Sequence, residues 1–169
     1  MLEAVAKIIR QTPIDEYSHG IAAKFYRIDE KWGLKFFINE EHARDKTYEL
    51  QQLASQYGLA PQIGSKFDMD LPDGRRAYGY ITETLPKTMR DVFLEKHGYT
   101  NHTTLYKEDQ RLYWKGSGEW DDTGFSQDLH KDLKYIGIES WDLHWGNVGY
   151  LNGRLVSIDF SEDNLTDHS

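Results

Sequence analysis

Asn152-Gly153, set between the apolar runs Val148–Tyr150 and Leu155–Ile158, constrains this chain more than any other feature. Asn-Gly suits a two-residue type I′ turn, whose positive φ angles match the right-handed twist of paired strands, so the two runs predict a β-hairpin. Asn147 and Asp159 each lie six residues from Gly153. Folding about that turn brings both to the open end of the hairpin, a carboxamide beside a carboxylate. Asp142 stands just upstream, in Asp142-Leu143-His144-Trp145-Gly146-Asn147. Magnesium is a hard cation that takes oxygen ligands and is commonly held by one or two protein groups plus substrate phosphates, and this set matches that need.

The rest of the chain surrounds the hairpin with a mixed pattern. Leu2, Val5, Ile8 and Ile9 share a helical face that Thr12-Pro13 ends, which reads as a small flanking helix within residues 1–16. Residues 22–28 and 34–38 are aromatic and β-branched around the polar turn 29–33, predicting a hairpin with Lys35 inside its second strand. A helix is expected over 40–57, with Ala43, Leu50, Leu53, Ala54 and Tyr57 near one face and Gly58 past its end. A second strand pair, 62–69 and 77–85, turns at Pro72-Asp73-Gly74. A short helix over 87–96 follows. Residues 97–124, rich in Gly, Asn, Thr, Trp and Asp without clear period, read as a long loop or irregular insert. Residues 125–136 read as a helix carrying Leu129, Leu133 and Ile136 inward, with Gly137 at its end.

Composition excludes several function classes. With no cysteine there is no disulfide framework, thiolate zinc site or cysteine nucleophile. A net charge of −8 opposes the nonspecific phosphate attraction that nucleic-acid binders exploit, so no nucleic acid is expected, and any phosphate must be gripped locally. No apolar run approaches the roughly 20 residues that span a bilayer. Glu3 stands where a secretion signal carries base, so neither membrane nor export is expected and the cytoplasm is the expected compartment.

Asp142-Leu143-His144-x-Gly146-Asn147 resembles the catalytic loop of the protein-kinase-like superfamily, in the form shared by aminoglycoside phosphotransferases and small phage-encoded kinases. Ile158-Asp159-Phe160 resembles the metal-binding segment that follows it, and Gly33-Leu34-Lys35-Phe36-Phe37 the strand carrying the phosphate-binding lysine. The resemblance implies ATP and Mg2+ as cofactors, Asp142 as catalytic base, and Asn147 and Asp159 as magnesium ligands. It also implies that Lys35 faces the phosphates, steadied by a helical glutamate. Glu49 is the first choice for that role, with Glu40 and Glu41 as alternatives. Ile81-Thr82-Glu83-Thr84-Leu85 resembles the hinge, where the backbone of Glu83 and Leu85 would meet the adenine edge. Gly20, in Tyr17-Ser18-His19-Gly20, stands where a phosphate-covering loop carries several glycines.

The resemblance runs from Tyr17 to Ser161 and departs from the family in three further ways. Ser140-Trp141 precedes the catalytic aspartate, Ser161 replaces the glycine after Asp159-Phe160, and Ser169 follows Ser161 by only eight residues. The expected architecture is therefore α+β: one kinase-like domain over 1–169, with a small antiparallel-sheet lobe at about 14–85 and a reduced, mainly helical lobe at about 86–169, without an activation segment. The expected activity is phosphoryl transfer to a protein or small-molecule hydroxyl, a serine/threonine kinase being one form. The alternative is a pseudokinase-like module that binds nucleotide or a partner without transfer, for example a phage protein acting on a host factor. His144 is read as a loop histidine bonding backbone rather than as a metal ligand with His130.

Overall fold

The computed structural model describes residues 2–11, 23–122, 125–139 and 143–160. Among these the chain forms six helices and two antiparallel sheets, in the order α1 (Leu2–Gln11), β1 (Lys24–Arg27), β2 (Trp32–Ile38), α2 (Glu41–Gln56), β3 (Ile63–Asp70), β4 (Arg76–Glu83), α3 (Met89–Lys96), α4 (His102–Glu108), α5 (Gln110–Asp122), α6 (Phe125–Tyr135), β5 (Val148–Leu151) and β6 (Arg154–Ser157). The first four strands make one sheet in the order β1-β2-β4-β3, and β5 and β6 pair alone. The mixed α+β expectation holds at that level.

Local chemistry accounts for the boundaries. In the β1–β2 turn, Asp29 Oδ1 accepts from the Lys31 and Trp32 amides, closing the hairpin tightly. Gly58 ends α2 at φ +72°, a conformation that only glycine adopts without cost. Thr88 and Asp91 form a reciprocal capping box that starts α3. In the β5–β6 turn, Asn152 and Gly153 take φ values of 54° and 78°, as the type I′ reading requires.

Two apolar clusters organise the packing. In one, Val5 and Ile9 of α1 lie against Leu34, Phe36, Phe67, Ala77 and Ile81 of the larger sheet. This corrects the reading of α1 as a flank, since both side chains are almost completely buried. The other joins Leu50 and Ala54 of α2 to α3–α6 and the β5–β6 hairpin through Phe93, Leu105, Trp120, Leu133, Trp145 and Val148.

Residues 97–124 are also corrected, because α4 and α5 occupy most of the expected loop. Asn101 caps α4 by accepting from the Thr103 and Thr104 amides. Gly116 lies within α5 for a packing reason: a Cβ there would come within 2.6 Å of the Phe93 ring. At Gly116 the glycine marks close approach and not chain irregularity. Among the described residues no helix is long and apolar enough to cross a membrane.

Candidate active site

The site begins with strand alternation. Leu34 and Phe36 of β2 enter the cluster under α1, so Lys35 between them projects to the opposite face of the sheet. There Lys35 is only 7 % exposed, and its Nζ donates to the Ile158 carbonyl at 3.2 Å. Burial pushes the Lys35 ammonium below its ordinary pKa, while the Asp159 charge nearby pulls it back up. Lysine and aspartate come from segments 124 residues apart in sequence, and tertiary packing places them together.

The hairpin supplies the second half. The Asn147 side-chain nitrogen donates to Asp159 Oδ2 at 3.2 Å, and the Ile158 amide donates to the Asn147 carbonyl at 3.0 Å. The open end therefore holds the carboxamide and carboxylate side by side. The hairpin is seated by the Ser157 amide on the Leu59 carbonyl and by a bridge between Thr88 and Gly149. Gly149 is required because a Cβ would collide with the Lys87 carbonyl oxygen. His144 is exposed and bonds its own loop, its Nδ1 accepting from the Gly146 amide at 2.9 Å.

Between the larger sheet and this hairpin lies a cavity of about 650 Å³, within the range of small-molecule sites. Lys35, Asn147 and Asp159 line it, and so do Thr82, Glu83, Thr84 and Leu85. Lys35 pairs with Tyr80 in the β2–β4 register, which sets Glu83 three residues along the strand, roughly 10 Å away. The cavity is thus long, with a charged end and a backbone end.

At the backbone end, the Glu83 amide is spent on the Gln62 carbonyl and the Thr84 amide on the Lys31 carbonyl. The Glu83 carboxylate accepts from the Gln62 amide. Arg27, which the sequence reading did not single out, fastens β1 across this segment by donating to Thr84 Oγ1 and to the Leu85 carbonyl, both at 2.9 Å. The Leu85 amide makes no hydrogen bond among the described residues, leaving a backbone donor beside the cavity. Asp91, in the capping box of α3, is a further lining carboxylate.

Glu49 is a correction. It lies on the outer face of α2, 61 % exposed at the side chain, paired with Lys46 at 3.4 Å and not with Lys35. Glu41 is exposed, and Glu40 serves as the residue before α2, so neither alternative replaces it. The α2 side chain that reaches the cavity is Gln51, which is 2 % exposed. The buried face of α2 runs through Arg44, Thr47, Leu50, Gln51, Ala54 and Ser55, and residue 49 falls outside it. A polar Gln at helical spacing from Thr47 and Ala54 was the available signal. Gly20, Asp142 and Ser161 lie outside the described residues.

The donor chemistry at the charged end fits a magnesium ion. Asn147 and Asp159 offer a carboxamide and a carboxylate at hydrogen-bond distance from each other on the cavity wall, with no thiolate or imidazole lining it among the described residues. No protein-family model, curated protein or solved structure matches this chain.

Proposed function

We propose that this chain is an ATP- and magnesium-dependent phosphotransferase with a minimal protein-kinase-like layout, acting in the cytoplasm where ATP is held. The observation that carries the reading is the sharing of one cavity by Lys35 from the sheet and Asn147 and Asp159 from the hairpin. Their order along the chain is the order of the family's phosphate-binding lysine and metal ligands. The unused Leu85 amide, at the far end, supports a place for the base.

In this mechanism the Lys35 ammonium holds the α- and β-phosphates. Asn147 and Asp159 would hold magnesium, which supplies neutralisation of charge on the phosphates. Asp142, by the resemblance, orients an acceptor hydroxyl and takes its proton. The acceptor oxygen forms a bond to the γ-phosphorus, the bridging bond to the β-phosphate breaks, and ADP leaves. Catalysis is then mostly positioning and electrostatics. With Glu49 on the outer face of α2, Lys35 is oriented from the hairpin side, through Ile158 and Asp159.

A nucleotide thermal-shift titration, with and without magnesium, tests the binding half of this reading, and transfer of radiolabel from ATP tests the chemistry. Asp159→Asn is expected to weaken magnesium-dependent binding, and Asp142→Asn to spare binding while stopping transfer. Turnover that survives Asp142→Asn would refute the assigned base. Nucleotide binding without transfer to any hydroxyl would favour a partner-binding module.

A further inference from the structure

The wall of the cavity behind Lys35 carries a buried hydrogen-bond chain that the proposed phosphoryl transfer does not use. The Tyr80 hydroxyl donates to Gln51 Oε1 at 2.8 Å. Gln51 Nε2 donates to the Pro61 carbonyl at 3.0 Å and to Thr82 Oγ1 at 2.7 Å. Thr82 Oγ1 donates in turn to the Glu83 carbonyl at 3.1 Å. Tyr80, Gln51 and Thr82 are all at most 4 % exposed, so none of these bonds is readily exchanged for water.

The polarity of the chain is fixed by its chemistry. A proline carbonyl can only accept, so the Gln51 amide nitrogen must face Pro61, and its second hydrogen then points at Thr82. A hydroxyl has one proton. With Gln51 donating into the Thr82 oxygen, that proton is committed to the Glu83 carbonyl. Thr82 and Glu83 line the base end of the cavity, and with its oxygen accepting from Gln51 and its proton engaged by the Glu83 carbonyl the Thr82 hydroxyl is held as an acceptor there. An unlocked hydroxyl would serve a donor or an acceptor equally well.

We propose that Gln51 is a positioning residue that locks the Thr82 hydroxyl and so makes the cavity select a base bearing an exocyclic amino group, such as adenine, over one bearing an oxo group, such as guanine. This rests on the cavity being a nucleotide site. The oxo group would set oxygen against oxygen in a buried place, where unpaired acceptors are costly.

Calorimetric titration of the full chain with MgADP and with MgGDP tests the inference. The unaltered protein is expected to prefer MgADP by about tenfold or more. Gln51→Met, which keeps length but removes the donor, is expected to bring the ratio toward one by improving MgGDP relative to MgADP. General damage would weaken both nucleotides together and leave the ratio unmoved. Thr82→Ser keeps the hydroxyl and is expected to keep the preference, while Thr82→Val is expected to lose it, and this pair carries the test if Gln51→Met does not fold. Equal affinity for the two nucleotides in the unaltered protein, or an unchanged ratio in both Gln51→Met and Thr82→Val, overturns the inference alone. Binding of neither nucleotide overturns the nucleotide reading and the inference with it.

Discussion

The two faces of the four-stranded sheet are built from alternate residues of the same strands and have opposite chemistry. On one face Leu34, Phe36, Ala77 and Ile81 meet Val5 and Ile9 of α1 in an apolar contact. On the other, Lys35, Tyr80 and Thr82 meet Gln51 and the hairpin across hydrogen bonds and a cavity. Both faces are buried, so burial alone does not distinguish them. The apolar face stabilises the sheet, and the polar face spends some of that stability on holding an ammonium, an amide and a phenol out of water. Burial holds the Tyr80 hydroxyl well above its ordinary pKa, with the Asp159 charge acting the same way. A site of this kind needs the opposite face to carry the stability.

The largest expected difference comes from adjacent positions on β2. Phe36→Ala is expected to cost about 3–5 kcal/mol in a urea melt, through lost transfer energy and the cavity left behind. Lys35→Met is expected to cost little stability or even raise it, because a buried charge is replaced by an apolar chain of similar length. It should nevertheless lower nucleotide affinity tenfold or more, on the order of 1.4 kcal/mol. Equal stability losses for the two variants would abolish the distinction between the faces.

A smaller effect tests whether α1 belongs to the apolar face. Ile9, at 1 % exposure, should cost about 2–4 kcal/mol when replaced by alanine. A loss within about 0.5 kcal/mol, as for a surface residue, would restore α1 to a mere flank.

The smallest effect concerns pH and separates the faces by charge. On α2, burial pushes the Asp45 carboxyl up, but hydrogen bonds and charge from Lys66 and Arg44 outweigh it and hold it below its ordinary value of 3.8. A carboxyl depressed in the folded state adds stability above its unfolded pKa and loses that contribution as pH falls through the folded one. The melting temperature of the unaltered protein should therefore fall more steeply below about pH 4 than that of Asp45→Asn. Parallel acid profiles would show that this network adds nothing to the polar face.

Part of the candidate site was legible because strands and tight turns follow local rules. Lys35 could be placed on one face of β2, and the Asn-Gly turn brought Asn147 and Asp159 together, since each depends only on local spacing. Glu49 failed for a reason particular to helices. At about 100° per residue, the two-residue step from Glu49 to Gln51 is roughly 200° of rotation, enough to turn the cavity side chain into the solvent side. Residues 97–124 failed differently. Gly116 and Gly118 weakened the helical signal, although Gly116 is where the Phe93 ring packs against the α5 backbone.

The sequence alone determined the turn chemistry, the strand alternation and the order of the charged residues, because these follow from backbone preferences over a few neighbouring positions. Tertiary structure decided which α2 residue meets the cavity, that α1 closes the apolar face, and that Lys35 lies against Ile158 and Asp159. Those depend on how elements distant in the chain rotate and dock to fill shared volume, which no local pattern encodes.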